Sequence, residues 1–154
     1  MRPLVFTIHL AALAMVLSVL RAGGESMPGA IGDDRTTAAT IAAVNRFNDA
    51  FNRHDVEGVM AAMTDDCVFE DTSPAPDGAR YQGQSTVRAY WERFFKANPD
   101  ARFDAEDMFA SGDRAVVRWI YRKTRDGRPW HLKGVDVFRV RDGKVAEKLA
   151  YVKG

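Results

Sequence analysis

The sequence predicts an α+β domain in which three N-terminal helices pack against a curved antiparallel sheet. Apolar residues recur at helical spacing up to about residue 97, and strand-like segments joined by tight-turn sequences follow from about residue 101. Helices followed by a meander of strands are the order of an α+β fold. Because three helices cannot cover a long sheet, we expect the sheet to fold over them and leave a conical cavity.

The three helices are predicted from their apolar spacing and their end signals. The first covers residues 36–53, and its buried stripe is expected to be Ile41, Val44, Phe47, Asn48 and Phe51. Asp55 is expected to cap a short second helix that ends near residue 63. The third covers residues 85–97, and we interpret its broad aromatic face as core packing.

The strands are predicted from alternation and turn sequences. A short strand covers residues 67–71, and the loop that follows, residues 72–83, is either a lip over a pocket or an ordinary surface connection. Four longer strands are expected over residues 102–110, 114–123, 130–141 and 144–152. The last turn falls at Asp142-Gly143.

Two aspartates interrupt apolar strand faces. Asp136 shares a face with Gly134 and Phe138, and Asp71 continues the face of Cys67 and Phe69. A charged group on an apolar face costs free energy unless it is paired or protonated, so both carboxylates are candidate site residues. The alternative for Asp136 is a place at a rim, in water or paired with a lysine.

Composition excludes several functional classes. A length of 154 residues suits one domain, and the formal net charge of +1 without a basic, aromatic-rich run gives no support for nucleic-acid binding. Cys67 is the single cysteine, which excludes an internal disulfide, and we expect it to be buried and reduced. The three histidines are scattered, so no metal and no cofactor are expected.

The N-terminal 26 residues are not expected to belong to the fold. An apolar run over residues 4–20 follows Arg2, which is typical of a secretory signal peptide. A membrane anchor is a second reading, weakened by the short run and by His9. A third is that Met27 is the true start. The domain, residues 35–154 after a flexible leader over 27–34, is then exported (secreted or periplasmic) or cytoplasmic, with no membrane span of its own.

Three segments carry a family resemblance: FNRHDVEGVMAAMTDDCVFEDTSP, YQGQSTVRAYWERFF and VDVFRVRDGKVAEKLAYVKG. Together they resemble the nuclear transport factor 2-like superfamily, in its branch of SnoaL-like polyketide cyclases and steroid delta-isomerases. The resemblance covers about residues 36–152. It implies a general base at Asp71, a protonated oxyanion-hole acid at Asp136 and, at Phe47, the position of an oxyanion-hole tyrosine.

The resemblance implies proton transfer next to a carbonyl of a hydrophobic or polyketide-like small molecule. Asp71 would be the base and Asp136 the acid, as in ketosteroid isomerase. The expected pocket wall consists of Phe47, Phe69, Trp119, Tyr121 and Phe138. Because Phe47 lacks the hydroxyl, a non-catalytic dimeric ligand-binding module is the alternative.

Two further expectations concern the last strands. Ile120, Val135 and Val137 fall on the outer sheet face beside Arg118 and Arg139, which predicts a homodimer formed by sheet packing. A two-residue turn at Asp142-Gly143 would place Leu149 opposite Asp136 and raise the pKa of that carboxyl, whereas a bulged turn would bring Lys148 opposite and keep it ionised. We expect the first register, since it gathers Leu149 and Tyr151 onto the cavity face.

Overall fold

The computed structural model describes residues 34–153, so the predicted segment 1–26 and leader residues 27–33 lie outside the described part of the chain. The first helix begins at Asp34, the last residue of the predicted leader. The elements, in chain order, are α1 Asp34–Asn52, α2 Val56–Ala61, β1 Met63–Glu70, β2 Arg80–Gln82, α3 Gln84–Ala97, β3 Arg102–Ser111, β4 Arg114–Arg125, β5 Arg128–Arg141 and β6 Lys144–Val152.

The six strands form one curved sheet in the order β2-β1-β6-β5-β4-β3. The predicted α+β fold is confirmed, with one refinement: β1 runs parallel to β6, while the other neighbours pair antiparallel. Strand β2 lies inside the segment predicted as a loop. Strand β1 starts at Met63, where α2 was expected to end, and the Gln84 side chain donates to the carbonyls of Met63 and Thr64 at 3.3 and 3.1 Å. These hydrogen bonds join residues about 20 positions apart, so the spacing of apolar residues along the sequence does not predict where β1 begins.

The core lies between the helices and the inner face of the sheet. Phe51 of α1 meets Trp91 of α3 and Phe103 of β3 at 5.7 Å between ring centroids in each case. All three side chains are at most 8% exposed, which is worth roughly 1.5–3 kcal/mol each. The interpretation of the aromatic α3 face as core is confirmed for Trp91. Asp55 caps α2 as predicted, accepting from the Gly58 N–H at 2.8 Å.

The β5–β6 hairpin does not adopt the expected register. The two-residue turn at Asp142-Gly143 is present, with Arg141 opposite Lys144 and Val140 opposite Val145. An irregularity then inserts one extra residue in β6, so Asp136 lies opposite Ala150. The expectation that Leu149 and Tyr151 face Asp136 is wrong, because a β-bulge turns every following side chain to the other face. The bulged-turn alternative is not observed either.

Gly134 of β5 sits where two neighbours approach its bare backbone. A Cβ at this position would lie 2.1 Å from the Tyr151 carbonyl oxygen and 2.5 Å from Cζ2 of the Trp119 indole. Real Cβ atoms do not approach backbone so closely, so β6 or the indole would have to move. Because Gly134 has no side chain, the Trp119 indole can pack directly against its backbone. Trp119 lines the cavity described below.

We expect Gly134→Ala to lower the free energy of unfolding by about 1–3 kcal/mol, the usual cost of overpacking. Urea denaturation measures this. The double variant with Trp119→Leu is the control: if the indole contributes to the clash, the two substitutions will cost less together than the sum of their separate costs. An unfolding free energy unchanged by Gly134→Ala contradicts the close approach.

Candidate functional site

A cavity lies between the helices and the inner face of the sheet. Its free volume is about 110 Å³. This is less than the roughly 150 Å³ of an enclosed cavity that holds benzene, but the cavity is partly open, so it suits a short chain or a single ring that extends into the opening. It is lined by Phe51, Phe69, Asp71, Thr72, Tyr90, Trp91, Phe94, Phe103, Trp119, Tyr121, Leu132, Asp136, Lys148 and Ala150.

The structure brings both predicted carboxylates to this cavity. Asp71 and Asp136 line it together with three of the five predicted wall residues, Phe69, Trp119 and Tyr121. The placement of Phe47 and Phe138 on the wall is wrong. These two rings are almost wholly buried and pack on each other at 5.9 Å between centroids, in the layer behind the cavity.

Asp71 is held at the cavity by a loop that folds back on it. Its N–H donates to the Ala79 carbonyl at 2.9 Å, and its Oδ1 accepts from the Thr72 N–H at 2.8 Å. Gly78 has a φ of 78°, and a Cβ there would lie 1.7 Å from the Asp71 carbonyl oxygen. Only glycine fits this approach and this φ. Of this loop, Thr72 reaches the cavity, whereas residues 73–77 are exposed.

Asp136, the second carboxylate of the cavity, forms a buried ion pair with Lys148. The exposed fractions of the two residues are 0% and 6%, and Lys148 Nζ lies 2.9 Å from Asp136 Oδ2. Burial raises the pKa of the Asp136 carboxyl above its ordinary value, and the nearby Lys148 ammonium opposes that rise. The alternative that Asp136 pairs with a lysine is thus confirmed, but inside the cavity and not at a rim.

Several buried polar atoms around the cavity lack a hydrogen-bond partner. Within residues 34–153 these include the Tyr121 hydroxyl, whereas the Trp119 indole N–H interacts with the Asp136 carboxylate and lowers the pKa of that group, although its geometry is short of a regular hydrogen bond. Burial raises the pKa of Tyr121 to about 12, so the phenol stays a neutral donor. A buried donor without an acceptor costs about 1–3 kcal/mol unless water or a ligand satisfies it. The cavity therefore offers hydrogen bonds to a polar group of a ligand.

Comparison with known proteins establishes the family. Residues 44–148, more than half of the chain, match the family profile described as SnoaL-like domain. The chain belongs to the SnoaL-like domain family. The predicted family resemblance is confirmed. No curated protein sequence matches this SnoaL-like domain.

Solved structures agree with the family. A nuclear transport factor 2-like protein of unknown function from Mesorhizobium loti is 39% identical, with 79% of this chain and 96% of that chain covered and a TM-score of 0.68. A candidate polyketide cyclase from Sinorhizobium meliloti is 27% identical, with 71% and 93% covered and a TM-score of 0.59. Another nuclear transport factor 2-like protein of unknown function, from Burkholderia pseudomallei, is 27% identical, with 75% and 91% covered and a TM-score of 0.65.

Among the cavity residues of this SnoaL-like domain that were not predicted, two are ionisable. Tyr90 was assigned to the aromatic core face of α3, yet it lines the cavity, and burial together with the Asp71 carboxylate raises the pKa of its hydroxyl. Lys148 was placed away from Asp136, because the β6 bulge was not foreseen. A hydroxyl on an otherwise apolar helix face was the one available signal for Tyr90. Lys148 was considered as the partner of Asp136, but only in the bulged-turn register, which was not the expected one.

Other chemical expectations concern residues away from the ion pair. Cys67 is buried as predicted, and burial raises the pKa of its thiol to about 11, so it stays protonated. Among residues 34–153, no group of three histidine, cysteine or carboxylate side chains is placed to hold a metal ion. The helices in that same range are all too short or too polar to cross a membrane.

Proposed function

We propose that this SnoaL-like domain binds a small hydrophobic carbonyl compound and moves a proton next to the carbonyl, with Asp71 as base and Asp136 on the acid side. One observation carries the proposal: two carboxylates in very different surroundings line the same apolar cavity. Asp71 is half-buried at the loop, whereas Asp136 is fully buried beside an ammonium. Carboxyl groups in contrasting environments are how acid and base roles are divided.

The proton moves in two steps. Asp71 takes a proton from the carbon next to the carbonyl, and the electron pair of that C–H bond moves onto the oxygen as an enolate. The protonated Asp71 then returns the proton to another carbon of the conjugated system. The carbonyl oxygen of the substrate lies next to Asp136, where buried hydrogen-bond donors stabilise the negative charge that develops on it. Phe69 and Trp119 keep water away from the reacting atoms.

The substrate class follows from the cavity size. A free volume of about 110 Å³ favours a single-ring or short polyketide-like ketone over a four-ring steroid. The Sinorhizobium meliloti candidate polyketide cyclase, 27% identical, supports a carbonyl-rich substrate.

Solvent deuterium exchange tests the proposal. Cyclohexanone, 2-cyclohexenone and 3-cyclohexenone are incubated with the protein in heavy water, and loss of the protons next to the carbonyl is followed by proton NMR. We expect exchange that depends on protein and saturates with ketone, and conversion of 3-cyclohexenone to the conjugated isomer. Ketones that bind without exchanging contradict turnover.

A non-catalytic binding module is the second candidate. It is favoured by Phe47, which offers no hydroxyl and packs against Trp91 and Phe138 at 5.9 Å between centroids. Saturation-transfer NMR on the same ketones would then show binding with no exchange. The two functions therefore give different results in one set of samples.

We expect a homodimer built from the outer sheet face. Leu149 and Tyr151 join Val135 and Val137 on this face, and Tyr151 is 49% exposed. Apolar residues on a sheet face away from the helices are stabilised by packing against a second sheet. Sedimentation should give a dimer at micromolar concentration and a monomer for Val137→Asp. A wild-type monomer at that concentration contradicts the interface.

A further inference from the structure

We propose that Lys148 is the catalytic residue that holds the substrate oxygen, with Asp136 as a positioning residue that keeps the lysine in place. The inference rests on the proposed function and changes the part assigned to Asp136. It adds a residue to the site that the family resemblance does not imply. The substrate class it selects is a ketone whose oxygen becomes an enolate.

The position of Lys148 supports this role. Its side chain is 8% exposed, lines the cavity, and extends from the inner face of β6 above the Phe69 and Phe138 rings at 5.1 and 5.9 Å from their centroids. The ammonium has three N–H donors. Nζ lies 2.9 Å from Asp136 Oδ2, and this is the one ion pair that Lys148 forms among residues 34–153, so a carboxylate oxygen occupies one side of the ammonium. A cation fixed by one carboxylate and two ring faces is preorganised to receive an oxygen.

The role of Lys148 does not depend on where the proton of the pair lies. If Asp136 is ionised, Lys148 is an ammonium with two donors left for the ligand. If the proton sits between Nζ and Oδ2 on the carboxyl, the amine still keeps two N–H groups. In both arrangements the proton of Asp136 is shared with Lys148, so the lysine and not the acid has donors to offer.

A second donor faces the same cavity. The Tyr121 hydroxyl is buried without an acceptor within the described chain, whereas the Trp119 indole N–H interacts with the Asp136 carboxylate. The Tyr121 phenol and the Lys148 side chain are both donors, so together they fit a ligand whose polar atom is an acceptor. A carbonyl oxygen meets this requirement, and an enolate oxygen meets it better because its charge strengthens each hydrogen bond.

Charge balance decides how to test the inference. In the reaction Asp71 becomes neutral as the enolate oxygen becomes negative, so the total charge of the cavity stays the same. A phenolate mimics the enolate oxygen, but in the wild type it would meet a second charge at Asp71. The protein with Asp71→Asn removes that charge and reproduces the intermediate state.

The probe is 4-fluorophenol, a single ring whose fluorine NMR shift distinguishes phenol from phenolate. Free phenols ionise at about pH 10, so only about one molecule in a thousand is phenolate in solution at pH 7. With Asp71→Asn we expect the bound probe to be mainly phenolate at pH 7, which requires a preference of about 1000-fold or more over solution. We expect a weaker preference in the wild type. Adding Lys148→Met should remove the preference, and adding Lys148→Arg should restore part of it, since arginine keeps a cation there.

Each outcome bears on the inference. A probe bound as neutral phenol to Asp71→Asn, no binding up to the solubility of the probe, or a phenolate preference that survives Lys148→Met overturns it. If the Lys148→Met protein does not fold, the arginine variant and the nitrogen NMR shift of Lys148 on probe binding decide. Phenolate binding without ketone exchange in the wild type contradicts the proposed function but leaves Lys148 as the anion-holding group.

Discussion

Replacing Asp71 by asparagine is expected to slow ketone exchange by about 10²–10⁴, the usual contribution of a positioned general base. Asparagine has the same shape, and its side-chain oxygen can still accept from the Thr72 N–H, a bond of 2.8 Å in the structure. What it loses is the ability to take a proton from carbon. The effect should therefore appear in the rate at saturating ketone, with little change in ketone binding.

Asp77→Asn is the matched control for this prediction. Asp77 lies in the same loop, is exposed and does not line the cavity. It carries the same charge change, so it reports any general electrostatic effect of the loop. If Asp71→Asn exchanges ketone within threefold of the wild type, the base must be another group.

The fold could be predicted because its signals are local. Most of the α1 stripe, the Asp55 cap and the turn at Asp142-Gly143, where both residues adopt positive φ, depend on neighbours in the sequence. Ile41 is the exception: it was expected on the buried stripe and is 36% exposed. Strand β2 could not be predicted, since three residues form a strand only through pairing with β1. The parallel contact of β1 with β6 joins residues about 80 positions apart, and local alternation says nothing about it.

The site was predictable only in part. Asp71 and Asp136 stood out because a carboxylate on an apolar strand face is visible in simple alternation. Lys148 did not, because one inserted residue near Ala146 reverses the faces of β6 beyond it. Val145 and Ala146 are both buried apolar residues, and nothing in their types marks a bulge. A single unforeseen bulge thus made us expect a register in which Leu149, and not Lys148, faces Asp136.

Depth is a second limit on prediction from sequence. Alternation placed Phe138 and Asp136 correctly on one inner face, but only Asp136 reaches the cavity. Phe138 is covered by Phe47, whose ring lies 5.9 Å away where α1 crosses the sheet. The crossing of a helix over a strand is set by packing across the whole core, so the sequence predicts the face but not the layer.

We expect Lys148→Met to lower the free energy of unfolding by about 3–5 kcal/mol at neutral pH, the usual cost of breaking a buried ion pair. Methionine matches the length of the lysine chain, so the loss comes mainly from charge and not from a void. Asp136 would then be a carboxylate with 0% exposure and no cation beside it. It must either stay ionised in an apolar site or take up a proton.

The cost of Lys148→Met should depend on pH in a defined direction. Burial already raises the folded-state pKa of Asp136 above the ordinary 3.8, and removing the opposing Lys148 raises it further. A carboxyl with a raised folded pKa binds its proton more tightly when folded, so the free energy of unfolding falls as pH rises from about 3.8 to the folded pKa. In the variant this fall continues to higher pH than in the wild type.

Urea denaturation from about pH 4 to about pH 8 should thus show a deficit in the free energy of unfolding that is small in acid and grows toward neutrality. The double variant Asp136→Asn/Lys148→Met removes both charges, so its own free energy of unfolding should lack the fall that Asp136 causes. Its deficit at neutral pH should therefore be smaller than that of Lys148→Met. A deficit of Lys148→Met that stays the same from acid to neutral pH would mean that the lysine acts through packing and not through its charge.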